Sequence, residues 1–361
     1  MSEDEASGDL GVSLSALTRR TALTGGAAGV AAALLAACGG SPAATTTTQA
    51  GSPAPTVFGS SRHYRFAFIN HEVDNAFFNP TKYGAADACQ LLGCSFDWTG
   101  STGNNVAEEV EAIYTAVAAR VDGIATTIID PEAFNAPVRA ALAAGIPVVS
   151  YNSDEPNNPR LAYLGQDLAA AGQLMGQRIQ SLLPDGGEIA IFISAPGLAS
   201  VKPRVDGALR ALRGTGIKAT VVGSGASATQ QATVIDAFMA AHPRYNGFFG
   251  ADQGSTQTIG AAVQKGSLAA KGVAAGGFDP NTQIEQLIAS GDLNFAIDQQ
   301  PYLQGFMAIV QMYLYRVSKG LTGIADMDTG LKLVSKRSIS PYVNTVSRFE
   351  GSSTSPGVQS A

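Results

Sequence analysis

Short apolar runs and longer amphipathic stretches alternate along the chain from Arg65 onward. The short runs are rich in Val, Ile and Phe, and the longer ones are rich in Ala with apolar positions at helical spacing. The predicted strands are Phe66–Asn70, Ser95–Trp98, Gly123–Ile129, Pro147–Asn152, Ala162–Gly165, Glu188–Ser194, Ala219–Gly223, Gly247–Ala251, Val273–Asp279 and Phe295–Gln299. The predicted helices include Thr81–Leu92, Val106–Arg120, Glu132–Ala144, Ala169–Leu183 and Thr256–Gln264. This alternation predicts βαβ units and parallel sheets.

The number of predicted strands is greater than the roughly five or six of an ordinary sheet. The pattern therefore predicts an α/β protein with two doubly wound parallel-sheet lobes. Ligands of such folds bind outside the carboxyl ends of the strands, so a site between the lobes would take side chains from strand-end loops of both.

The N-terminal residues 1–37 have the order of parts found in an export signal. The pair Arg19-Arg20 precedes the apolar, small-residue run Ala22–Ala37, which is short of the roughly 20 residues that span a bilayer. The run ends at Cys38, and this junction resembles the lipobox of bacterial lipoproteins. We expect Cys38 to be lipidated and the protein to be extracytoplasmic and anchored in the cell membrane. Export by the Sec or the twin-arginine pathway stays open.

Composition separates the globular part from its ends. Residues 38–61 contain almost no large apolar side chains and predict a flexible tether, and residues 346–361 predict a loose tail. The net charge is -6 and there is no basic block, which argues against binding to nucleic acid. The low charged fraction of 14% leaves ample apolar material for buried cores.

Signals for catalysis, metals and cofactors are weak. His63, His71 and His242 are scattered without a nearby Cys, so we expect no metal site, although His71 could border a cleft. The run Gly223–Ala228 fits a dinucleotide fingerprint only superficially, since it does not open the first βα unit, and a helix start is the preferred interpretation. No nucleophile elbow is present. We expect neither a cofactor nor an enzyme activity.

Polar side chains collect at the predicted strand ends. A closed site for a saturated polyol needs carboxylates, amides and a guanidinium for the hydroxyls, together with aromatic rings for the C–H faces. The chain offers this mixture at the ends of six strands or in the segments to which they lead, in the runs 71–78, 151–154, 202–204, 251–253, 278–280 and 298–301.

Short stretches at these strand ends resemble the bacterial sugar-binding proteins of ABC importers, the group typified by ribose-binding protein. The resemblance spans nearly all of residues 64–340 and extends to the binders of autoinducer-2 and rhamnose. It rests on the order and spacing of the matching stretches, which are Asn75–Phe78, Val121–Ile124, Ala144–Val148, Arg204–Ala208, Gly277–Asp279 and Ala296–Pro301.

The resemblance implies a set of ligand-binding residues. Arg204 matches the arginine that binds ring hydroxyls in the family, and Asn152 replaces a family aspartate. The run from Tyr151 to Asp154 is more like that of the autoinducer-2 binders, which makes Asp154 a candidate. Asp252 follows the position of a family asparagine and also has a possible role as a helix cap. The complete implied set is Asn75, Phe77, Phe78, Asn152, Asp154, Arg204, Asp252, Asp279 and Gln299.

The resemblance also implies the type I periplasmic binding protein fold, with two lobes joined by a three-stranded hinge. The first lobe would be residues 62–165 plus 301–330, and the second 166–300 plus 331–345. The implied function is capture of a monosaccharide or sugar alcohol by a monomer that delivers it to a membrane permease. An alternative is a lipoprotein that presents a small polyol signal, similar to autoinducer-2, to a membrane sensor.

Three side-chain roles stay open at this point. Cys89 and Cys94 are close in sequence and either form a disulfide or pack as free thiols. Trp98 ends a predicted strand and belongs either to the core or to the cleft rim. Phe77 and Phe78 lie just past a strand end, where at least one of them is expected to face the ligand.

Overall fold

The computed structural model describes residues 62–361. The predicted signal peptide, the lipidation candidate Cys38 and the tether lie outside these described residues. Within residues 62–361, no helix is long and apolar enough to cross a membrane.

The described chain begins as a regular alternation of strands and helices and ends in short strands. The strands are β1 (Arg65–Asn70), β2 (Ser95–Gly100), β3 (Gly123–Thr126), β4 (Val148–Tyr151), β5 (Ala162–Gly165), β6 (Gly187–Ile193), β7 (Ile217–Gly223), β8 (Gly247–Gly250), β9 (Ala274–Phe278), β10 (Phe295–Asp298), β11 (Met327–Asp328), β12 (Lys332–Ser335), β13 (Thr345–Ser347) and β14 (Val358–Ser360).

Helices connect most of these strands. They are α1 (Asn79–Leu92), α2 (Val106–Ala118), α3 (Asn135–Ala143), α4 (Leu168–Leu182), α5 (Lys202–Ala211), α6 (Ala228–Ala241), α7 (Gln253–Lys265), α8 (Thr282–Ser290), α9 (Pro301–Val317) and α10 (Ser340–Val343). Helix α6 begins with a capping box in which Ser227 and Gln230 bond each other's backbone amides. The glycine-containing run before it is therefore a helix start, as preferred from the sequence.

Two six-stranded sheets organise the chain. The first has the strand order β11-β5-β4-β3-β1-β2, and the second has the order β12-β10-β9-β8-β6-β7. All pairings in the first sheet are parallel, and in the second only β12 runs antiparallel, against β10. Helices α1, α2, α3 and α9 pack on the first sheet, and α4, α5, α7 and α8 pack on the second. We call these two assemblies the first and the second lobe.

The chain passes between the lobes three times. It leaves the first sheet between β5 and α4, returns between β10 and α9, and leaves again between β11 and β12. These three crossovers form the hinge, and the predicted fold class of two doubly wound lobes joined by a three-stranded hinge is confirmed.

Alternation of buried side chains explains why each sheet is covered on both faces. In β1, Phe66 and Phe68 enter the cluster beneath α1 and α9, whereas Ala67 and Ile69 enter the cluster beneath α2 and α3. Successive side chains of a strand point to opposite faces, so a continuous apolar run fits a sheet buried on both sides. Leu198, from the loop after β6, packs against apolar clusters of both lobes.

The two cysteines lie side by side as thiols. Cys94 Sγ donates to Cys89 Sγ over 3.0 Å, and the two residues are free cysteines in the structure. This hydrogen bond and burial raise the pKa of the Cys89 thiol.

The C-terminal residues make more contacts than their Ser- and Gly-rich composition predicts. Strands β13 and β14 pair antiparallel and enclose residues 348–357, and we call residues 345–361 the C-terminal strap. The segment leading into it is attached to the second lobe, because α10 packs on α8 and the Tyr342 hydroxyl donates to Asp298 over 3.2 Å.

The C-terminal strap is attached at its other side to the first lobe. The Arg348 guanidinium pairs with Asp87 of α1 and lies 5.1 Å from the centre of the Tyr83 ring. The Phe349 ring lies 4.7 Å from that of Tyr302, whose hydroxyl donates to Asp87 over 2.9 Å. The strap therefore links the two lobes outside the hinge, through a partly buried ion pair, a cation–π contact and an aromatic contact.

This link predicts a measurable coupling between Arg348 and Asp87. In a double-mutant cycle with Arg348→Met and Asp87→Asn, we expect a coupling of about 1 kcal/mol, because the pair is partly shielded from water. Urea unfolding followed by circular dichroism gives the free energies. The exposed pair Arg65–Asp97, with its atoms 3.9 Å apart, is the control and should couple by about 0.2 kcal/mol. Equal coupling in the two cycles would contradict an anchored strap.

Candidate functional site

A cavity of about 270 Å³ lies between the lobes at the carboxyl ends of their strands. This is the position at which doubly wound sheets hold ligands. Its walls come from both lobes and from the hinge, and most of the side chains that line them are polar. The polar and aromatic side chains that line it are His71, Glu72, Asn75, Phe77, Phe78, Asn104, Asn152, Ser194, Ser200, Arg204, Gln231, Asp252, Gln253, Asp279 and Gln299.

A buried ion pair forms the second-lobe side of this cavity. Arg204 is only 2% exposed, and its Nη1 donates to Asp279 Oδ2 and to the Ala251 carbonyl, each over 3.0 Å. Its Nη2 lies 3.5 Å from Asp279 Oδ1 and 3.3 Å from Gln166 Oε1. These contacts engage the four terminal N–H donors of the guanidinium. The fifth, on Nε, is buried and has no partner among the described residues.

Close helix packing holds Arg204 in place. Helix α5 lies so near α4 that a Cβ on Gly172 would stand 2.0 Å from the Arg204 carbonyl oxygen, and one on Gly207 would stand 2.3 Å from that of Ala169. Only glycine permits this approach. The guanidinium carbon also lies 4.1 Å from the centre of the Phe278 ring, which is a cation–π contact.

A chain of amides and carboxylates continues from Arg204 across the hinge. Gln299 donates from Nε2 to Asp279 Oδ1 over 2.8 Å, and it accepts at Oε1 from Asn152 Nδ2 over 3.1 Å. Gln304 also donates to Gln299 Oε1, over 3.0 Å. The network thereby joins the end of β4 in the first lobe to the ends of β9 and β10 in the second.

Two members of this network have left-handed backbone conformations. The φ angles of Asn152 and Asp279 are +62° and +63°, and each residue directly follows the last residue of its strand. Non-glycine residues in this region carry a conformational cost that surrounding contacts must offset, and such residues concentrate at functional sites. The turn directs both side chains from the strand ends into the network.

The aromatic side of the cavity is built on a short 3₁₀ turn, Ala76–Phe78. Asn75 caps this turn, since its Oδ1 accepts from the Phe77 amide over 3.0 Å. The rings of Phe77 and Phe78 meet edge to face with their centres 4.8 Å apart. Phe77 is half-buried and Phe78 is buried, and both line the cavity.

Trp98 belongs to the core rather than to the cavity lining. Its ring stacks at 6.0 Å from Phe68, and its Nε1 donates to the Val73 carbonyl over 3.2 Å. The sequence left open whether Trp98 belongs to the core or to the cleft rim. In the structure it packs against the apolar cluster of the first lobe.

Asp252 lines the cavity but has its hydrogen-bonding capacity filled. It caps α7, because Oδ1 accepts from the Ser255 amide over 2.9 Å, and Oδ2 accepts from the Ser194 amide over 2.8 Å. The Ser255 hydroxyl and the Gln231 amide add further bonds. Burial raises the pKa of this carboxyl, although the hydrogen bonds from Ser255 and Ser194 act in the opposite direction. Its contacts assign it to the support of α7, the second role considered from the sequence.

Asp154 lies outside the cavity. Its carboxylate pairs with the Arg160 guanidinium, with Oδ1 2.8 Å from Nε and Oδ2 2.5 Å from Nη2, and accepts from the Ser150 hydroxyl. It borders a separate groove at the side of the lobes. The other eight residues proposed from the sequence all line the cavity between the lobes.

The structure adds cavity residues that were not in the ligand-binding set implied by the sequence, although His71 had been considered as a residue bordering a cleft. His71 directly follows β1, and Glu72 accepts hydrogen bonds from the side-chain amides of Asn75 and Asn104. Asn104 comes from the loop after β2, and Gln231 lies on α6. The sequence signal that identifies His71 as a cavity residue is its position directly after a predicted strand. Residues 62–361 contain no group of three or more His, Cys, Asp or Glu side chains arranged to bind a metal ion.

Known proteins resemble the chain in sequence. The family profile described as periplasmic binding protein domain matches residues 66–320. The xylose/arabinose-binding protein XylF of Sulfolobus acidocaldarius is 41% identical over 305 residues, which are 81% of this chain and 75% of that protein. The ribose import binding protein RbsB of Bacillus subtilis is 21% identical over 254 residues, which cover 70% of this chain and 82% of that protein.

Solved structures resemble the fold. A carbohydrate transporter from Acidothermus cellulolyticus 11B, in complex with myo-inositol, has a TM-score of 0.70 and 29% identity, and the match covers 78% of this chain and 97% of that one. An ABC transporter solute binding protein from Burkholderia graminis C4D1M, in complex with D-arabinose, has a TM-score of 0.74 and 23% identity, with coverage of 78% and 99%. The resemblance stated from the sequence is confirmed, and the chain belongs to the periplasmic binding protein domain family.

Proposed function

We propose that this protein captures a monosaccharide or a cyclic polyol between its lobes and releases it unchanged to a membrane transporter. The observation that carries the proposal is the buried network of Arg204, Asp279, Gln299 and Asn152, which borders a cavity shared by both lobes. Its amides, carboxylates and guanidinium can donate to and accept from hydroxyl groups. The half-buried ring of Phe77 offers an apolar surface for the C–H face of a sugar ring.

The dimensions and polarity of the cavity favour a small, uncharged, hydroxylated ligand. A volume of about 270 Å³ is below the range of about 300–1,000 Å³ typical of drug-sized ligands. The sugars for which the relatives are named narrow the choice of ligand within this class. One is named for xylose and arabinose, and two of the solved structures hold D-arabinose and myo-inositol. We therefore propose an aldopentose as the principal ligand.

Sugar binding without hydrolysis is consistent with the ion pairs that the carboxylates form. Glycoside hydrolysis requires one protonated carboxyl group as the acid, close to a second carboxylate. Asp279 is paired with Arg204, and Asp154 is paired with Arg160 outside the cavity. Both carboxylates are therefore already engaged by a guanidinium group. The relatives are likewise named as binding and transport proteins.

The ligand would act by holding the lobes together. Arg204 and Asp279 belong to the second lobe, whereas Phe77 and Asn75 belong to the first. A ligand shifts a conformational equilibrium only by the contacts that differ between the two states. A sugar that touches both sides at once would stabilise the closed arrangement, which the permease of an ABC transporter would then receive.

A ligand screen tests the proposed class. With each sugar at 100 times its dissociation constant, binding adds about 2.7 kcal/mol to the stability of the native state. We expect D-xylose, L-arabinose or D-arabinose to raise the melting temperature of the purified protein by several degrees, and calorimetry then gives the affinity. D-Glucose, myo-inositol and D-ribose serve as comparisons. A melting temperature unchanged by every sugar and polyol would refute the proposal.

Substitutions in the network test the site. Arg204→Ala and Asp279→Ala should each abolish measurable sugar binding, because each leaves the other charge buried without its partner. Titration calorimetry is performed at a temperature where circular dichroism shows the variants folded. Asp154→Asn is the matched control, since that carboxylate lies outside the cavity, and it should keep the wild-type affinity. Wild-type affinity in Arg204→Ala, or loss of binding only in Asp154→Asn, would contradict the assignment.

We also propose that Cys38 is diacylated and anchors the protein on the outer side of the cell membrane. The proposal is supported by the order of Arg19-Arg20, the apolar run and Cys38 in the sequence. Cys38→Ser should move the protein from the membrane fraction to the soluble fraction and abolish incorporation of a labelled fatty acid. Cys89→Ser is the control and should do neither. Membrane retention of Cys38→Ser would exclude this anchor.

A further inference from the structure

The C-terminal strap is an ordered loop with hydrogen bonds of its own. The Ser347 and Ser352 hydroxyls both donate to the Glu350 carboxylate, and the Ser347 amide donates to Ser352 Oγ over 3.0 Å. The Ser353 amide donates to the Ser347 carbonyl over 3.0 Å, and the pairing of β13 with β14 closes the loop. Residues 348–350 are therefore presented to the lobes as a fixed unit.

The chain itself ties the strap to the second lobe. Strand β12 pairs with β10 of the second sheet, and α10 packs on α8 and leads directly into β13. The Tyr342 hydroxyl donates to Asp298, and the Lys332 ammonium lies 4.8 Å from the centre of the Tyr342 ring. The strap can therefore leave the first lobe and still remain attached to the second.

Side-chain contacts alone hold the strap on the first lobe. Arg348 pairs with Asp87 of α1, with side-chain exposures of 18% and 24%, and the Phe349 ring packs on that of Tyr302 in α9. Asp87 joins these two contacts, because its other carboxylate oxygen accepts from the Tyr302 hydroxyl. Partly exposed contacts of this kind are weak enough to break each time the lobes open.

The strap lies across the gap between the lobes, beside the cavity of 270 Å³. A second cavity of about 120 Å³ has walls from both lobes and from the strap, and it adjoins the first. The two cavities share Phe77 of the first lobe and Gln253 and Asp279 of the second. The strap residues that line the second cavity are Phe349, Glu350 and Gly351.

This position couples the strap to the separation of the lobes. Domains that turn about a hinge separate most at points away from it, and the strap joins α1 and α9 of the first lobe to the α8 side of the second outside the three crossovers. Its first-lobe contacts and an opened cleft therefore exclude each other. The hinge crossovers, by contrast, remain covalently continuous in both arrangements.

We infer that the C-terminal strap holds the lobes in the closed arrangement and that its first-lobe contacts break before a sugar enters or leaves. The inference rests on the proposed sugar binding and extends it to the control of sugar exchange. The strap contributes equally to the closed state with and without sugar. It therefore changes the rates of uptake and release more than the affinity.

Exchange of a labelled sugar tests the inference. The probe is ¹⁴C-labelled D-xylose or L-arabinose, whichever binds the wild type more tightly, and its release is followed after addition of excess unlabelled sugar. Arg348→Met should release the probe about fivefold faster than the wild type, as for loss of one partly buried pair, and a chain that ends at Asn344 at least as fast. Association should accelerate by a similar factor, which keeps the dissociation constant within about twofold of the wild-type value.

Charge reversal separates a contact between the lobes from a general loss of stability. Arg348→Asp and Asp87→Arg should each accelerate release, and the double variant should release the probe more slowly than either, because the ion pair is restored with its charges exchanged. Arg65→Met is the matched control. It removes a guanidinium that pairs with Asp97 within the first lobe, and it should keep the wild-type rates.

Small-angle X-ray scattering of the sugar-free protein tests the strap without any ligand. Arg348→Asp has the same length as the wild type and should have a larger radius of gyration, because its lobes open more freely. The chain that ends at Asn344 should also have a larger radius although it is shorter. If that chain does not fold by circular dichroism, the full-length variants alone decide the result.

Release of the probe by Arg348→Asp at the wild-type rate would overturn the inference, and so would a radius of gyration equal to that of the wild type. Absence of sugar binding by the wild type would instead refute the proposed function. The scattering comparison would then decide whether the strap holds the lobes together.

Discussion

The buried ion pair between Arg204 and Asp279 is the interaction on which the arrangement of the site depends. Two opposite charges that are almost completely removed from water are tolerated when they pair with each other and hydrogen bonds engage most of their remaining donors and acceptors, because the desolvation cost is several kcal/mol per ion. Here the Ala251 carbonyl, Gln166 and Gln299 provide the remaining partners. These contacts fix the ends of three strands and the start of α5 relative to one another.

The same contacts link the site to the hinge. Gln166 lies at the first crossover and Gln299 at the second, so the pair is bonded to two of the three connections between the lobes. The left-handed backbone of Asn152 and Asp279 carries a conformational cost that this network offsets. A ligand that changes the bonding of Arg204 or Gln299 therefore acts directly on the segments about which the lobes would turn.

The sequence was sufficient for the fold and for the second-lobe side of the site. The alternation of apolar runs and helical stretches determines the two parallel sheets. The strand ends at Asp279 and Gln299 and the start of α5 at Arg204 meet because the segments that follow parallel strands share one carboxyl edge. Side-chain orientation was not predictable in this way. Asp154 turns to Arg160 instead of the cavity, Trp98 enters the core, and Asn75 is used as a cap.

Long-range contacts of polar segments were equally inaccessible from local composition. The C-terminal strap is held by an ion pair between residues 261 positions apart, and His71 lies at the cavity because Asn104 and Phe78 hold it there from separate parts of the chain.

A crystal structure of the protein grown with D-xylose or L-arabinose tests the central claim most directly. The account predicts one sugar between the lobes, within hydrogen-bonding distance of Arg204 Nε and the Asp279 carboxylate. A sugar bound anywhere else, or an empty cavity at saturating sugar, would contradict it.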